Sequence, residues 1–439
     1  MSYYVKNLAH EHRLTKTLLL LSLLAVACAK IPSPDPVPVP SDVPVEFGVT
    51  DGLSKGQDPL VSLQALAAVD FGVSAWFTPR GEKFGDTPVE YFQNHRFGYI
   101  TPNLAAESTF PNPWQGVAAH AAGTGAVTPA PVYWPLDGTL TFFCYAPYRT
   151  DAVLDTPPAP DARDIVLEAA PADMQDRHPD YLAGSPIIRY TPAASAADQI
   201  DFLAAPALLD RSRSESEGRF PVDFSRHRLT RLDFRFNYDD VYEDDEHNVF
   251  HYLAAGESVR VLNVAVRGVI GSKYLYFTGG VPYATECAWS DAVSPADKET
   301  AGAALPLADY RLNAVKAGTG ELGYGYEYEL PEKNGSNDNH KPVVREKGRL
   351  YLLPQELPAD AVLEITYAIY DGTNYKGISE IISVPLKANL AEWEQGTRVC
   401  YRITLNLKPH QSASCSVLTE KWMSSENDQS EIELLPNHD

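Results

Sequence analysis

Beyond about residue 45, apolar side chains mostly recur at every second position, the spacing of strands with one buried face. In RLTRLDFRF, Leu232, Phe234 and Phe236 share one face, and Arg231, Asp233 and Arg235 the other. In RVLNVAVRG, Leu262, Val264 and Val266 alternate with Asn263, Ala265 and Arg267. Leu363, Ile365, Tyr367 and Ile369 do the same against Glu364, Thr366 and Ala368. Further on, Val399, Tyr401, Ile403, Leu405 and Leu407 oppose Cys400, Arg402, Thr404 and Asn406. Such strands predict antiparallel sheets packed on one side. Asp137-Gly138 and Asp371-Gly372 read as hairpin turns, because both residue types tolerate positive φ. Helical spacing is confined to LVSLQALAAV, from Leu60, and DQIDFLAA, from Asp198. Neither is long enough to organise a core. No internal repeat of roughly 20–50 residues is visible.

The first forty-odd residues follow a different pattern. Lys6, Arg13 and Lys16 precede an unbroken run from Thr17 to Ala27. A spanning helix needs about 20 apolar residues, so this shorter run predicts an export signal over residues 1–27. LAVAC places Ala27 directly before Cys28. Small residues there admit a signal peptidase, and the Cys28 thiol is where diacylglycerol would attach, as in a bacterial lipoprotein box. Ala25 stands where such boxes usually carry Leu, and ordinary cleavage beside an incidental cysteine is the alternative. Pro32, Pro34, Pro36, Pro38, Pro40 and Pro44 then fix φ and remove backbone donors, predicting an extended tether over 28–44. Acyl chains followed by a stiff spacer suit a protein held off a membrane surface.

Length divides the remainder. A chain of 439 residues exceeds one comfortable core, so two domains are expected. The polar, Ser-rich stretch DRSRSESEGRFP, from Asp210 to Pro221, is the natural boundary. It separates a β domain over 45–209 from one over 218–439. The fold class is therefore all-β, two tandem sandwiches behind a signal and tether. With 36 basic against 58 acidic side chains the formal net charge is −22, which makes nucleic acid a poor partner. Of five cysteines, Cys144, Cys287, Cys400 and Cys415 remain once Cys28 is set aside, and none pair at metal-ligand spacing. Bridged and free thiols are both compatible with the sequence.

Catalytic motifs are missing. There is no Gly-x-Ser-x-Gly elbow, no phosphate loop and no His-Glu-x-x-His helix. GTGELGYGYEYE lacks a strand-then-helix setting and reads as a strand edge loosened by glycine. The acidic run YDDVYEDDEHNVFHY, from Tyr238, holds Asp239, Asp240, Glu243, Asp244, Asp245, Glu246, His247 and His251. These are ligand types for a hard cation or a softer metal, but the order of a calcium loop is absent and a solvated loop is the plainer reading. His227, on a strand, reads as a hydrogen-bonded structural residue. No enzyme activity, cofactor or metal is expected.

Several stretches together resemble the fimbrillin family, the surface pilin-type lipoproteins of Bacteroides-like bacteria. YWPLDGTLTFFCYAPY, from Tyr133, is similar to that family's Tyr-Trp-Pro, turn, aromatic-strand segment. DQIDFLAA resembles its Asp-Gln-x-Asp element. VDFSRHRLTRLDFRF resembles the strand that opens its second domain, YLLPQELP its Pro-Gln turn, and WEQGTRVCYRITLNL its late Trp-x-x-Gly strand. The resemblance implies two transthyretin-like antiparallel β-sandwiches, export as an outer-membrane lipoprotein, and a structural or adhesive role in fimbriae. It implies other fimbrial subunits as partners through donor-strand exchange, with a host or bacterial surface ligand for an adhesin. In stalk subunits of that family a protease removes the first strand after a basic residue, usually Arg, and a neighbour's strand fills the groove. Here no Arg lies between Cys28 and Arg80, so the cleavage candidates are Lys55, in DGLSKGQ, and Arg80, in TPRGEK. An uncleaved anchor or accessory subunit is the alternative. SEIELLP, with Ile432 and Leu434 alternating, is either a donor strand or the last strand of the second domain. A glycan-binding surface lipoprotein is the rival reading, with sugar rings stacking on Trp76 or Trp114.

Overall fold

The computed structural model describes residues 38–49, 63–85, 88–100, 113–120, 127–153, 163–215, 219–244, 246–281, 284–290, 307–312, 329–333, 339–342, 349–372, 374–407 and 412–422. Cys28, Lys55 and the SEIELLP tail lie outside them. Nearly all described residues belong to one compact unit, Pro40–Asp439.

Most strands of the first half join one sheet. Its order is β11 (Leu203–Ala204), β8 (Thr139–Ala146), β3 (Phe71–Thr78), β4 (Val89–Tyr99), β5 (Pro113–His120), β2 (Glu46–Val49) and β13 (Arg219–Val222). β12 (Leu208–Arg211) also pairs with β8, and β6 (Val127–Pro129) with β5. β1 (Pro40–Pro44) lies against β7 (Tyr133–Pro135), and the helix α1 (Leu63–Val69) precedes β3. A second sheet runs β19 (Ala284–Ser290), β18 (Lys273–Val281), β10 (Pro186–Tyr190), β9 (Ile165–Ala169), with the one-turn α2 (Met174–Arg177) between β9 and β10.

β8 shows why these layers stack. Its run TLTFFCYA is buried on both faces. Phe142 packs with Phe47, Phe71, Phe97, Trp114 and Trp134 on one side, while Phe143 and Tyr145 meet Ile165, Ile188 and Phe277 on the other. A strand buried on both faces reads as continuous apolar sequence, not alternation.

The second sandwich sets two sheets around one core. One contains β21 (Lys341–Pro342), β14 (Thr230–Asp239), β28 (Thr397–Asn406) and β29 (Ser412–Lys421), with β22 (Arg349–Leu352) on β14. The other contains β20 (Leu307–Arg311), β17 (Glu257–Ile270), β24 (Val362–Asp371) and β25 (Asn374–Ile378), with β26 (Ile382–Pro385) on β24. Leu232, Phe234, Phe236, Leu363, Ile365, Tyr367, Val399, Tyr401, Ile403, Leu405 and Leu407 all enter the core, as their alternation predicts. Two small ribbons pair β15 (Val241–Glu243) with β16 (Val249–His251), and β23 (Gln355–Glu356) with β27 (Glu392–Trp393).

Some local expectations shift. In β17 a bulge between Val261 and Asn263 changes the phase, so Val259 and Val261 are buried while Leu262 is half-exposed. DQIDFLAA is not helical: Leu203 and Ala204 pair with β8, and the Asp201 carboxylate holds His227. Asp371-Gly372 does turn β24 into β25, with Gly372 at φ +60°. Gly138, at φ +81°, instead carries the chain from β7, which pairs with β1, into β8. The sheets are mostly antiparallel, with parallel pairs at β2–β13 and β14–β28. Pairing also crosses the 210–221 segment, because β13 completes the sheet of β2, and the β18–β19 hairpin extends that of β10.

Candidate functional site

The site is the slot that β2 fills. β2 pairs antiparallel with β5 (Glu46 opposite Gln115, Phe47 opposite Trp114) and parallel with β13 (Phe47 opposite Phe220, Val49 opposite Val222). Its apolar residues point inward at alternate positions, continuing the phase of Val45 just before it: Val45 and Phe47 are fully buried and Val49 nearly so. The Phe47 ring sits 5.0 Å from Phe97, 5.2 Å from Phe142 and 6.1 Å from Phe71, all tilted edge to face. Such geometry adds to simple area burial. Glu46 lies between the slot's two walls, accepting from Arg219 Nε at 2.9 Å and from the Gln115 amide. Backbone bonding extends upstream, where Val45 N donates to Val132 O at 2.8 Å.

Three buried apolar side chains, Phe47 and Val49 of β2 with Val45 just before it, at about 1.5–3 kcal/mol each hold this segment with roughly 5–9 kcal/mol. β2 also sits at the chain's N-terminal side of every other strand in its sheet, so a cut after it releases it without unthreading anything. The 50–62 segment that follows, with Lys55, is outside the described residues.

Arg80 occupies a different setting. It lies in the turn after β3, its side chain 81% exposed and ion-paired through Nε to Asp137 at 2.8 Å. A cut there would detach β3 as well, which pairs with both β4 and β8 and carries Phe71, Val73, Ala75 and Phe77 into the core. That loss would dismantle the sheet instead of opening one slot in it.

The remaining sequence candidates resolve as follows. His227 is buried, its Nδ1 2.7 Å from Asp201 Oδ2, and its ring stacks on Trp422 at 3.6 Å. Cys144, Cys287, Cys400 and Cys415 are free thiols. Burial pushes the Cys144 thiol far above its ordinary value and that of Cys287 up to about 11. The acidic run forms the β15–β16 ribbon. Among its carboxylates, Asp244 accepts from Asn248 N at 2.8 Å, and Asp239 lies 3.6 Å from Lys333 Nζ. Asp240, His251 and Glu332 could together hold a metal, with ligand atoms within 4.8 Å of one another, although His251 and Glu332 are exposed. Trp114 is fully buried, which removes it as a sugar platform. No helix among the described residues is long and apolar enough to cross a membrane.

One part of the slot was hidden in the sequence. β13, its second wall, begins inside the stretch read as a boundary. Phe220 and Val222, alternating with Pro221, were the available signal.

Stacked sheets, one of them completed by its first strand β2, define an all-β sandwich protein. This chain belongs to the fimbrillin-like family, whose model matches residues 99–422. No curated protein matches the sequence. Among solved structures, a fimbrial protein from Bacteroides vulgatus is similar, with 16% identity and a TM-score of 0.50, over 87% of this chain and 99% of that one. A candidate cell adhesion protein from Bacteroides uniformis has 12% identity and a TM-score of 0.40, covering 89% of this chain and 100% of that one.

Proposed function

We propose that this protein is a cell-surface subunit of fimbriae that polymerises by strand exchange, with the β2 slot as its acceptor. The observation that carries the reading is the placement of β2: first strand of the sheet, inserted between β5 and β13, with Phe47 and Val49 buried in register and Val45 buried just before them. Cleavage after Lys55 would release β1 and β2 together. It would bare two strand edges and three apolar pockets at alternate positions. Main-chain hydrogen bonds to those edges would give affinity, and the pockets would fix register. An exposed edge is an aggregation hazard, which is why the slot must stay filled until export is complete. Ile432 and Leu434 have the alternation a donor needs. Cys28 is the proposed lipid site that holds the precursor at the outer membrane. The role is structural, not catalytic.

Brief trypsin treatment tests this. Cutting after Lys55 is expected to give a ladder of oligomers that survives unboiled SDS electrophoresis, and Lys55→Gln to abolish the ladder. A chain cut after Lys55 that remains monomeric at high concentration would count against exchange.

A further inference from the structure

Edge strand β9 runs beside the outer face of β3 and β4, and a cleft of about 440 Å³ opens between them. Small-molecule clefts span roughly 300–1,000 Å³. Its lining combines one indole, Trp76, with the carboxylates of Glu90 and Glu168, the amides of Gln93 and Gln175, and Ser185.

Trp76 projects from the face of β3 opposite Val73, Ala75 and Phe77, whose side chains fill the inner core. It is half-buried, and Phe143 meets it edge to face at 5.2 Å and 83°, which fixes the ring. Its indole N–H has no hydrogen-bond partner among the described residues, unlike Trp289 and Trp393, which donate to Arg228 O and Tyr401 Oη. Ser185 is 3% exposed, and its Oγ also has no partner among the described residues. A buried hydroxyl left unpaired is costly, so a ligand group reaching it would gain.

The chemistry of this lining is selective. A pyranose ring has a face of C–H groups and a rim of hydroxyls. An aromatic face receives the first, and carboxylates and amides pair with the second. Among the described residues no Arg or Lys lines the cleft, and Arg189, on the strand paired with that of Glu168, is ion-paired to it at 3.2 Å. Phosphorylated, sulfated and uronic ligands would meet Glu90 without a compensating cation.

We infer that this cleft binds a neutral saccharide unit of one or two rings, stacked on Trp76 and hydrogen-bonded by Glu90, Gln93 and Gln175. The inference is independent of strand exchange, since β2 and its slot are not among the lining residues. The full chain is applied to an array of neutral, N-acetylated, sulfated and uronic oligosaccharides, with extended peptides as competitors. Isothermal titration with the strongest neutral binder follows. Trp76→Ala is expected to weaken binding on the order of tenfold or more, and Trp76→Phe to retain part of it. Glu90→Gln, at an exposed position that cannot compromise folding, is expected to weaken it less. An array without neutral binders, capture of peptides alone, or titrations unchanged in folded Trp76→Ala or in Glu90→Gln would each overturn the inference.

Discussion

Phe47→Ala is expected to lower the stability of the intact protein by about 3–5 kcal/mol, the usual cost of emptying a fully buried aromatic site. Three other phenylalanine rings surround Phe47 at 5.0–6.1 Å. They belong to β3, β4 and β8, whose backbone pairing holds them in place, so the cavity cannot collapse. The denaturant midpoint reports the loss. A second effect follows from the same contacts. Once the chain is cut after Lys55, a strand lacking Phe47 leaves the slot sooner, so ladders form faster from Phe47→Ala than from wild type. Phe47→Leu, which keeps most of the volume, is expected to fall between them. Loss of stability without faster assembly would separate the packing of β2 from its role as a plug.

Asp233→Asn should be nearly as damaging, through charge. Asp233 lies on β14 among Arg231, Arg398 and Arg349. Burial alone would raise its pKa, but the three guanidinium groups outweigh it and hold the carboxyl at about 2, below the ordinary 3.8. A depressed carboxyl stabilises the fold fully above its unfolded value and loses that stabilisation as pH falls through the folded one. The contribution, about 2 kcal/mol, is therefore complete above roughly pH 5 and drains away toward pH 2. Asparagine removes it and leaves three nearby guanidinium groups facing one another. The expected loss at pH 7 is about 3–5 kcal/mol. Comparing denaturant midpoints of the two proteins from pH 7 to pH 2 checks the sign. The gap should be widest at neutral pH and narrow as Asp233 protonates in the wild type. A gap that widens in acid would contradict the assignment.

The second sandwich was legible because its strands turn apolar side chains mainly to one face. Leu232 to Phe236, Leu363 to Tyr367 and Val399 to Leu407 alternate in sequence as they do in space. Alternation fails where a bulge inserts a residue, as at Val261–Asn263, or where both faces are covered, as in β8. DQIDFLAA misled because Leu203 and Ala204 pair with β8 while Asp201 turns to His227, and tertiary pairing outweighs weak helical spacing. The slot itself was only half legible. EFGV carries its apolar positions openly, but that its neighbours would be β5 and β13 depends on chain-distant pairings that no local pattern records. Trp76 was visible as a candidate platform, whereas the cleft around it depends on β9 arriving from about ninety residues away.

The most direct measurement is the intact mass and N-terminal residue of the protein in assembled fimbriae, set beside that of the unassembled protein from the same cells. Strand exchange through the β2 slot predicts that the assembled chain begins at Gly56, without lipid, while the unassembled chain begins at an acylated Cys28. Assembled chains that retain Cys28 and β2 throughout would contradict it.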